Sequence, residues 1–251
     1  MSAKVSTPGN QIKASQNTTT LWVQRILLLI FLLLPVCFNP FSAQIFELHK
    51  LAILRTLIAL AGGLLLAGML QEKSTSWSFN LAKTHLSLGL YTLVFVLATL
   101  FSLDPITSLF GTYFRSQGLI TELHLWILFL LLASWLRDAG FRTRLYQAAA
   151  LGGLPVILYA LLQRAGLDPF PWQEMAFGQR VFSTLGQPNF LGSYLGMLLP
   201  FVVSLSLLAK GKTRWLWATL AGLAALTVLL SQSRGALVGL LAGGIFFLIL
   251  W

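Results

Sequence analysis

The sequence predicts an all-α protein, a polytopic membrane helical bundle of about eight transmembrane helices. Three observations carry that expectation. Apolar residues make up 57% of the 251-residue chain and charged residues only 10%, against roughly 25% charged in an ordinary soluble domain. Apolar runs near the length a bilayer-spanning helix needs, about 20 residues, recur near 22–41, 52–70, 85–102, 119–136, 145–164, 187–209, 214–231 and 235–251. The segments between the runs alternate in charge, as they do when successive loops face opposite sides of a membrane. With a mean hydropathy of +0.79, the chain has room for one membrane domain, residues 21–251, and for no soluble domain of useful size.

Residues 1–20 are polar and rich in Ser, Thr, Asn and Gln, a composition that reads as a disordered tail. They lack the apolar core of a cleavable signal peptide, and the first apolar run is followed by more spans. That first run holds the single Cys37, so no disulfide framework or cysteine metal site is expected. Placing the N-terminus in the cytoplasm puts Lys4, Lys13, Arg25, Lys73, Lys83, Arg137, Arg142, Arg144, Lys210, Lys212 and Arg214 inside. Lys50, Arg55, Arg115, Arg164, Arg180 and Arg234 then lie across the membrane. The bias obeys the positive-inside rule at every inside loop. The net charge of +10 therefore reads as topology signalling in a protein whose partners are membrane lipids, not as a nucleic-acid footprint.

The third and fourth runs are joined by an outer loop, 103–118, rich in Ser, Gly and aromatics; it carries Arg115, for which a solvated role is the default. Glu122 and His124, near the start of the fourth run, read either as a proton-handling pair or as interfacial polar groups. Between the fifth and sixth runs, Asp168 and Glu174 lie close enough in sequence to Arg180 to pair with it. His49, His85 and His124 have no metal-ligand spacing, and no HExxH, Cys–His cluster, P-loop or GxGxxG occurs. Neither a metal nor another cofactor is expected.

Chemistry is concentrated in two short polar words. The first, GQRVFSTLGQPNFLGSYLG (178–196), opens the sixth run. Pro188 suits a first helical turn, where its missing N–H costs nothing; Gln187 and Asn189 flank it. A helix start offers free N–H groups and partial positive charge to an anion, and Arg180 adds directed donors. The second word, SQSRGALVG (231–239), supplies another guanidinium fork at Arg234, with Ser231 and Ser233 beside it. The turn there is so short that the seventh and eighth runs should form a tight hairpin with Arg234 at its tip. Gly192 and Gly196, and Gly235, Gly239 and Gly243, recur every fourth residue and read as close-packing faces. Such packing would draw the outer ends of the last three runs together. A lone arginine at a helix end ordinarily snorkels to lipid phosphate. Two of them among converging donors also suit a phosphate or pyrophosphate headgroup, and both readings stand on spacing alone.

The runs SLDPITSLFGTYFRSQGL (102–119), RVFSTLGQPNFLGSYLGMLLP (180–200) and SQSRGALVGLLAG (231–243) resemble the O-antigen ligase/polymerase superfamily, the WaaL-like ligases and Wzy-like polymerases of bacterial envelopes. NPFSAQIFELHKLAILR (39–55) resembles that family's first outer loop. The resemblance runs from about residue 25 to the end, with its core motifs in 178–251. It implies the N-terminal part of a GT-C-like O-antigen ligase fold in the bacterial inner membrane. It also implies transfer of glycan from a polyprenyl-pyrophosphate carrier to a lipid or glycan acceptor on the periplasmic face, without metal or nucleotide. Arg180 and Arg234 match family arginines thought to hold the pyrophosphate, and Gln187, Asn189, Ser233 and Arg115 accompany them as substrate-binding candidates. The family's candidate base is a histidine on a large periplasmic loop that has no counterpart here. The chain therefore reads as an N-terminal fragment, inactive alone and without a catalytic residue of its own. The superfamily also includes proteins once proposed to carry bicarbonate, so transport of a small anion is the alternative.

Overall fold

The computed structural model describes residues 8–71, 84–112, 115–170, 172 and 178–250, and every regular element among them is helical. In chain order these are α1 (Pro8–Leu33), α2 (Glu47–Gln71), α3 (Thr84–Leu100), α4 (Pro105–Phe110), α5 (Leu119–Trp135) and α6 (Ala139–Arg164). A 3₁₀ turn (Ser183–Leu185) precedes α7 (Pro188–Leu208), α8 (Lys212–Ser231) and α9 (Arg234–Leu250). Glu47–Leu70, Ala139–Arg164, Pro188–Leu208 and Lys212–Ser231 are long and apolar enough to cross a membrane. Thr18–Leu33, Ser87–Leu100, Leu119–Trp135 and Arg234–Phe246 are shorter apolar helices. Large apolar side chains stand exposed along these helices, Phe190, Met197, Phe201 and Leu207 on α7 among them. In water such a surface would be an aggregation liability, whereas lipid tails accept it at no cost. The chain is a helical multi-pass membrane protein.

Several expected boundaries move. α1 begins at Pro8, inside the segment that composition reads as a disordered tail, and residues 1–7 lie outside the described residues. It ends at Leu33 instead of running to 41. Pro35 cannot continue the helix, and Val36 and Cys37 fold back to donate to the Leu33 carbonyl at 3.1 and 3.2 Å. Cys37 thus lies in the turn after the first helix, not within it. The loop 103–118 contains α4, started by Pro105 at its first turn and by Asp104. The Thr107 hydroxyl and amide both donate to the Asp104 carboxylate, at 2.6 and 3.1 Å, and together hold it below its usual acid range.

The chain divides into two compact units, one of Met1–Leu27 and Leu51–Phe141, the other of Leu28–Lys50 and Arg142–Trp251. In the first, α5 packs on α3 and α4, with Tyr91 tilted against Trp126. In the second, α7 and α8 form a closely packed antiparallel hairpin, and α9 makes most of its contacts with α7. The expected tight pairing of α8 with α9 is therefore replaced by pairing of α7 with both. The cause is Gln232, whose left-handed backbone (φ +50°) reverses the chain immediately after α8. The core of this unit is a stripe on α7, Leu191, Leu195, Leu198 and Val202, packed with Val156, Ile157 and Ala160 of α6 and Leu220, Ala224 and Val228 of α8.

Two adjacent glycines let α6 into this core. A Cβ on Gly152 would lie 2.5 Å from the Phe31 carbonyl oxygen and 2.7 Å from that of Leu32, at the end of α1; one on Gly153 would lie 2.3 Å from Leu198 Cδ2. The first obstacle is backbone and the second is the tip of a flexible side chain. Gly152→Ala should therefore destabilise the protein by about 1–3 kcal/mol, an overpacking cost, and Gly153→Ala by less. Thermal unfolding of the two variants in lipid nanodiscs checks this, and an unchanged Gly152→Ala would contradict the close contact.

Candidate functional site

The second unit carries a segment that is neither membrane helix nor surface loop. Val181, Phe182, Ser183 and Thr184 are all buried although they precede α7 and lie outside any α-helix. Non-helical backbone is tolerated at such places only where protein satisfies it. Gln163 does so from the last turn of α6: its Oε1 accepts from the amides of Phe182 (3.2 Å) and Ser183 (2.7 Å). The Ser183 hydroxyl donates to the Val156 carbonyl at 2.6 Å, and the Thr184 hydroxyl to that of Pro35 at 2.7 Å. Lys50 Nζ donates to the Thr184 carbonyl at 2.6 Å.

The same amide of Gln163 donates through Nε2 to Asp168 at 2.8 Å. Asp168 also accepts from Tyr159 Oη (2.9 Å), Trp172 Nε1 (2.7 Å) and the Phe170 amide (3.1 Å). Its carboxylate is therefore the hub of the loop and not a partner of Arg180, as its sequence position allowed; Glu174 lies outside the described residues. Trp172 in turn packs with Phe46, Phe170 and Phe182.

Two residues of the segment sit in the left-handed region, Ser183 (φ +53°) and Gly186 (φ +76°). For a non-glycine residue that conformation costs roughly 1 kcal/mol, which the bonds to Gln163 and Val156 offset. At Gly186 a Cβ would fall 2.4 Å from the Phe46 ring, so the turn into α7 needs glycine twice over. Gln187 then caps α7 by its carbonyl alone, accepting from the Leu191 amide at 3.0 Å, with no capping bond from its side chain. Pro188 takes the first turn.

Arg180 is partly committed to structure. Its Nε donates to the Ser231 carbonyl at 3.0 Å and Nη2 to Asn189 Oδ1 at 2.9 Å. Ser231 is the last residue of α8, so the guanidinium satisfies a carbonyl that has no helical partner and complements the negative end of the helix dipole. Among the described residues, Nη1 and the second Nη2 hydrogen meet no protein acceptor. Arg234, three residues beyond Ser231, opens α9; it is exposed and bonded to no carboxylate among the described residues. Ser233 is buried, its amide reaching back to Ser231 Oγ at 3.3 Å.

Gly192 brings the starts of α7 and α9 together, since a Cβ there would lie 2.5 Å from Ser233 Cβ. Gly235, Gly239 and Gly243 do not serve as the expected packing face: a Cβ at any of them would meet nothing within 4 Å. One corner thus gathers the end of α8, the first turns of α7 and α9, Arg180, Asn189 and Ser233, with Arg234 on the adjoining turn. Arg115 belongs to the other unit, exposed on the loop between α4 and α5. Nor do Glu122 and His124 pair; His124 Nδ1 is spent on the Ile120 carbonyl of its own helix, 2.7 Å away.

Sequence reasoning missed Lys50, Gln163 and the Ser231 carbonyl. Lys50 meets Thr184 across 134 residues, and a backbone acceptor leaves no residue-type signal at all. Among the described residues no three His, Cys, Asp or Glu side chains cluster so as to hold a metal ion. Comparison with protein-family models, curated proteins and solved structures finds no match.

Gln163→Ala would leave two buried amides without their acceptor and remove one of the donors to the Asp168 carboxylate. Unfolding should become easier by about 2–6 kcal/mol, at roughly 1–3 kcal/mol for each of the two unmet amides. Gln163→Glu keeps an acceptor for both amides but loses the donor to Asp168, and should fall between the alanine variant and the parent. Equal stability of all three, read by thermal unfolding, would contradict the bracing role.

Proposed function

We propose that this corner binds the diphosphate of a lipid-linked glycan, and that the chain is the donor-binding part of an O-antigen ligase/polymerase-like glycosyltransferase. The observation that carries the reading is the pair of guanidinium groups at one corner. Arg180 is fixed by two bonds yet has N–H donors to spare, and Arg234 is exposed. The first-turn amides of α7 and α9 add partial positive charge beside them. A pyrophosphate offers enough acceptor oxygens for two forks at once, and a lipid-borne one reaches a helix end at the membrane surface without leaving the bilayer.

In that reaction the acceptor hydroxyl oxygen attacks the sugar's anomeric carbon, the bond from that carbon to the pyrophosphate oxygen breaks, and the pyrophosphate leaves with the electron pair. Arg180 and Arg234 stabilise the charge that builds on the leaving group. Asn189 and Ser233 hold the arginines' surroundings in register, through the bond to Arg180 and the contact with Gly192. The proposal includes eight spans, a cytoplasmic N-terminus and residence in the bacterial inner membrane. It rests there on the charge alternation, which puts Arg180 and Arg234 on the periplasmic side. It assigns the proton-accepting base to no residue described here.

In a full-length protein that contains this chain and supplies the base, Arg180→Ala and Arg234→Ala should each lower glycan transfer in membranes by about 10²-fold or more, the usual consequence of removing one charge-stabilising donor. Arg234→Ala should do so with unchanged thermal stability, because the side chain braces nothing among the described residues. Normal transfer in both variants, at equal protein levels, would overturn the roles. Uptake of a small anion by proteoliposomes, without glycan transfer, would favour a carrier instead.

A further inference from the structure

The first compact unit contains an apolar groove of about 400 Å³ between α2 and α5. Ile58, Gly62, Leu66 and Met69 line it from α2, and Ile127 and Leu131 from α5. The α2 positions recur at helical spacing and form one stripe. The groove exists because that stripe lacks side chains at its middle. A Cβ on Gly62 would touch only Ile127 Cγ2, at 3.6 Å, and one on Gly63 would meet nothing within 4 Å. It opens toward the surroundings at Leu66, which is 57% exposed. From Ile58 to Met69 the helix rises about 16 Å at 1.5 Å per residue. That is roughly half of a 30 Å hydrocarbon core, the depth of one leaflet.

One end of this stripe is charged. Arg55 lies one turn before Ile58 on the same face of α2, and its Nη2 donates to the Ser116 carbonyl at 2.8 Å and to the Thr121 hydroxyl. Its Nε is buried and has no acceptor among the described residues. The residue beside Ser116 is Arg115, exposed and bonded to no carboxylate among the described residues. The loop that presents Arg115 is pinched shut where Gly111 meets Gly118; a Cβ on Gly118 would lie 2.4 Å from the Gly111 amide nitrogen. Ser116 is left-handed at its tip (φ +48°), so the position of Arg115 is set by folded backbone. Glu122, in the first turn of α5, is the nearest carboxylate in sequence and bonds to neither arginine among the described residues.

We infer that the groove seats one acyl chain of a membrane phospholipid of net negative charge, its phosphate held at the Arg55–Arg115 end. A leaflet-deep apolar slot with Arg55 one turn beyond its Ile58 end, and Arg115 on the loop that Arg55 binds, matches such a lipid in length and in charge. A zwitterionic lipid fits the slot equally but brings its own cation to the arginines. The inference concerns the first unit alone and does not depend on the glycan-donor reading, which uses residues of the second.

Native mass spectrometry of the full chain, released from detergent in the presence of phosphatidylglycerol or phosphatidylcholine, tests it. Wild-type protein should retain one phosphatidylglycerol about tenfold more tightly than phosphatidylcholine, as two arginines facing an anionic headgroup imply. Gly63→Leu fills the slot from a position where a side chain meets no protein atom, and leucine favours helix over glycine. It should cut phosphatidylglycerol retention about tenfold. Arg115→Gln, at an exposed site, should abolish the preference between the two lipids while leaving the fold unaltered. Undiminished retention by Gly63→Leu, or equal retention of both lipids by the wild type, would overturn the inference. So would displacement of phosphatidylglycerol by an equimolar polyprenyl phosphate, or a dimer that Gly63→Leu dissolves, since the occupant would then be a different lipid or a second copy of the chain.

Discussion

Residues 181–184 are the constraint on which the second unit depends. They are buried without being α-helical, so apart from the Phe182 carbonyl, which accepts from the Leu185 amide at 3.3 Å, their backbone groups have neither water nor a helical ladder to meet them. An unmet buried N–H costs roughly 1–3 kcal/mol, and the whole stability of a domain is about 5–15 kcal/mol. Side chains from other parts of the chain therefore converge on this short stretch. Gln163 takes two amides, Lys50 takes the Thr184 carbonyl, and the segment's own hydroxyls reach Val156 and Pro35. Asp168 holds Gln163 in place and gathers Tyr159 and Trp172 around it. What this framework carries at its edge is Arg180, aimed at the end of α8 and the start of α7.

Glycine decides where the helices come close, but at fewer positions than its spacing suggests. Gly152, Gly153 and Gly192 each replace a collision with backbone or side-chain contact, and Gly186 makes room for the Phe46 ring. A side chain at any glycine of the four-residue repeat of α9 would meet nothing among the described residues. A small-residue stripe is thus a statement about which face could pack, and only the partner's position says whether it does. Gly192 succeeds because the reversal at Gln232 sets Ser233 directly against α7.

Much of the helical layout was legible from hydropathy, because each of the eight apolar runs falls on a helix. The proline at the first turn of α7 was legible from local rules as well. Local rules could also have ended α1 at Pro35 and started α4 at Asp104 and Pro105, and attention to apolar runs alone passed over both. The supports of the candidate site were not legible in principle. Lys50 and Gln163 act on backbone atoms of a distant segment, and Arg180 on the backbone of Ser231; such acceptors carry no residue identity for a pattern to find. The proposed function takes its chemistry from the resemblance of the polar words to the envelope ligases and polymerases and its physical argument from the geometry. Donors in excess of their structural duties stand at a helix end in a membrane protein.

The proposal is a site built for a diphosphate rather than for any anion, and its affinity for one phosphate against two tests that most directly. Purified protein in nanodiscs can be titrated calorimetrically with a short polyprenyl pyrophosphate and with the corresponding monophosphate. The account predicts saturable binding of the pyrophosphate, at least about tenfold tighter than the monophosphate, since the second phosphate gains its own arginine fork in place of water. Equal affinity for the two, or no saturable binding of either, would contradict it.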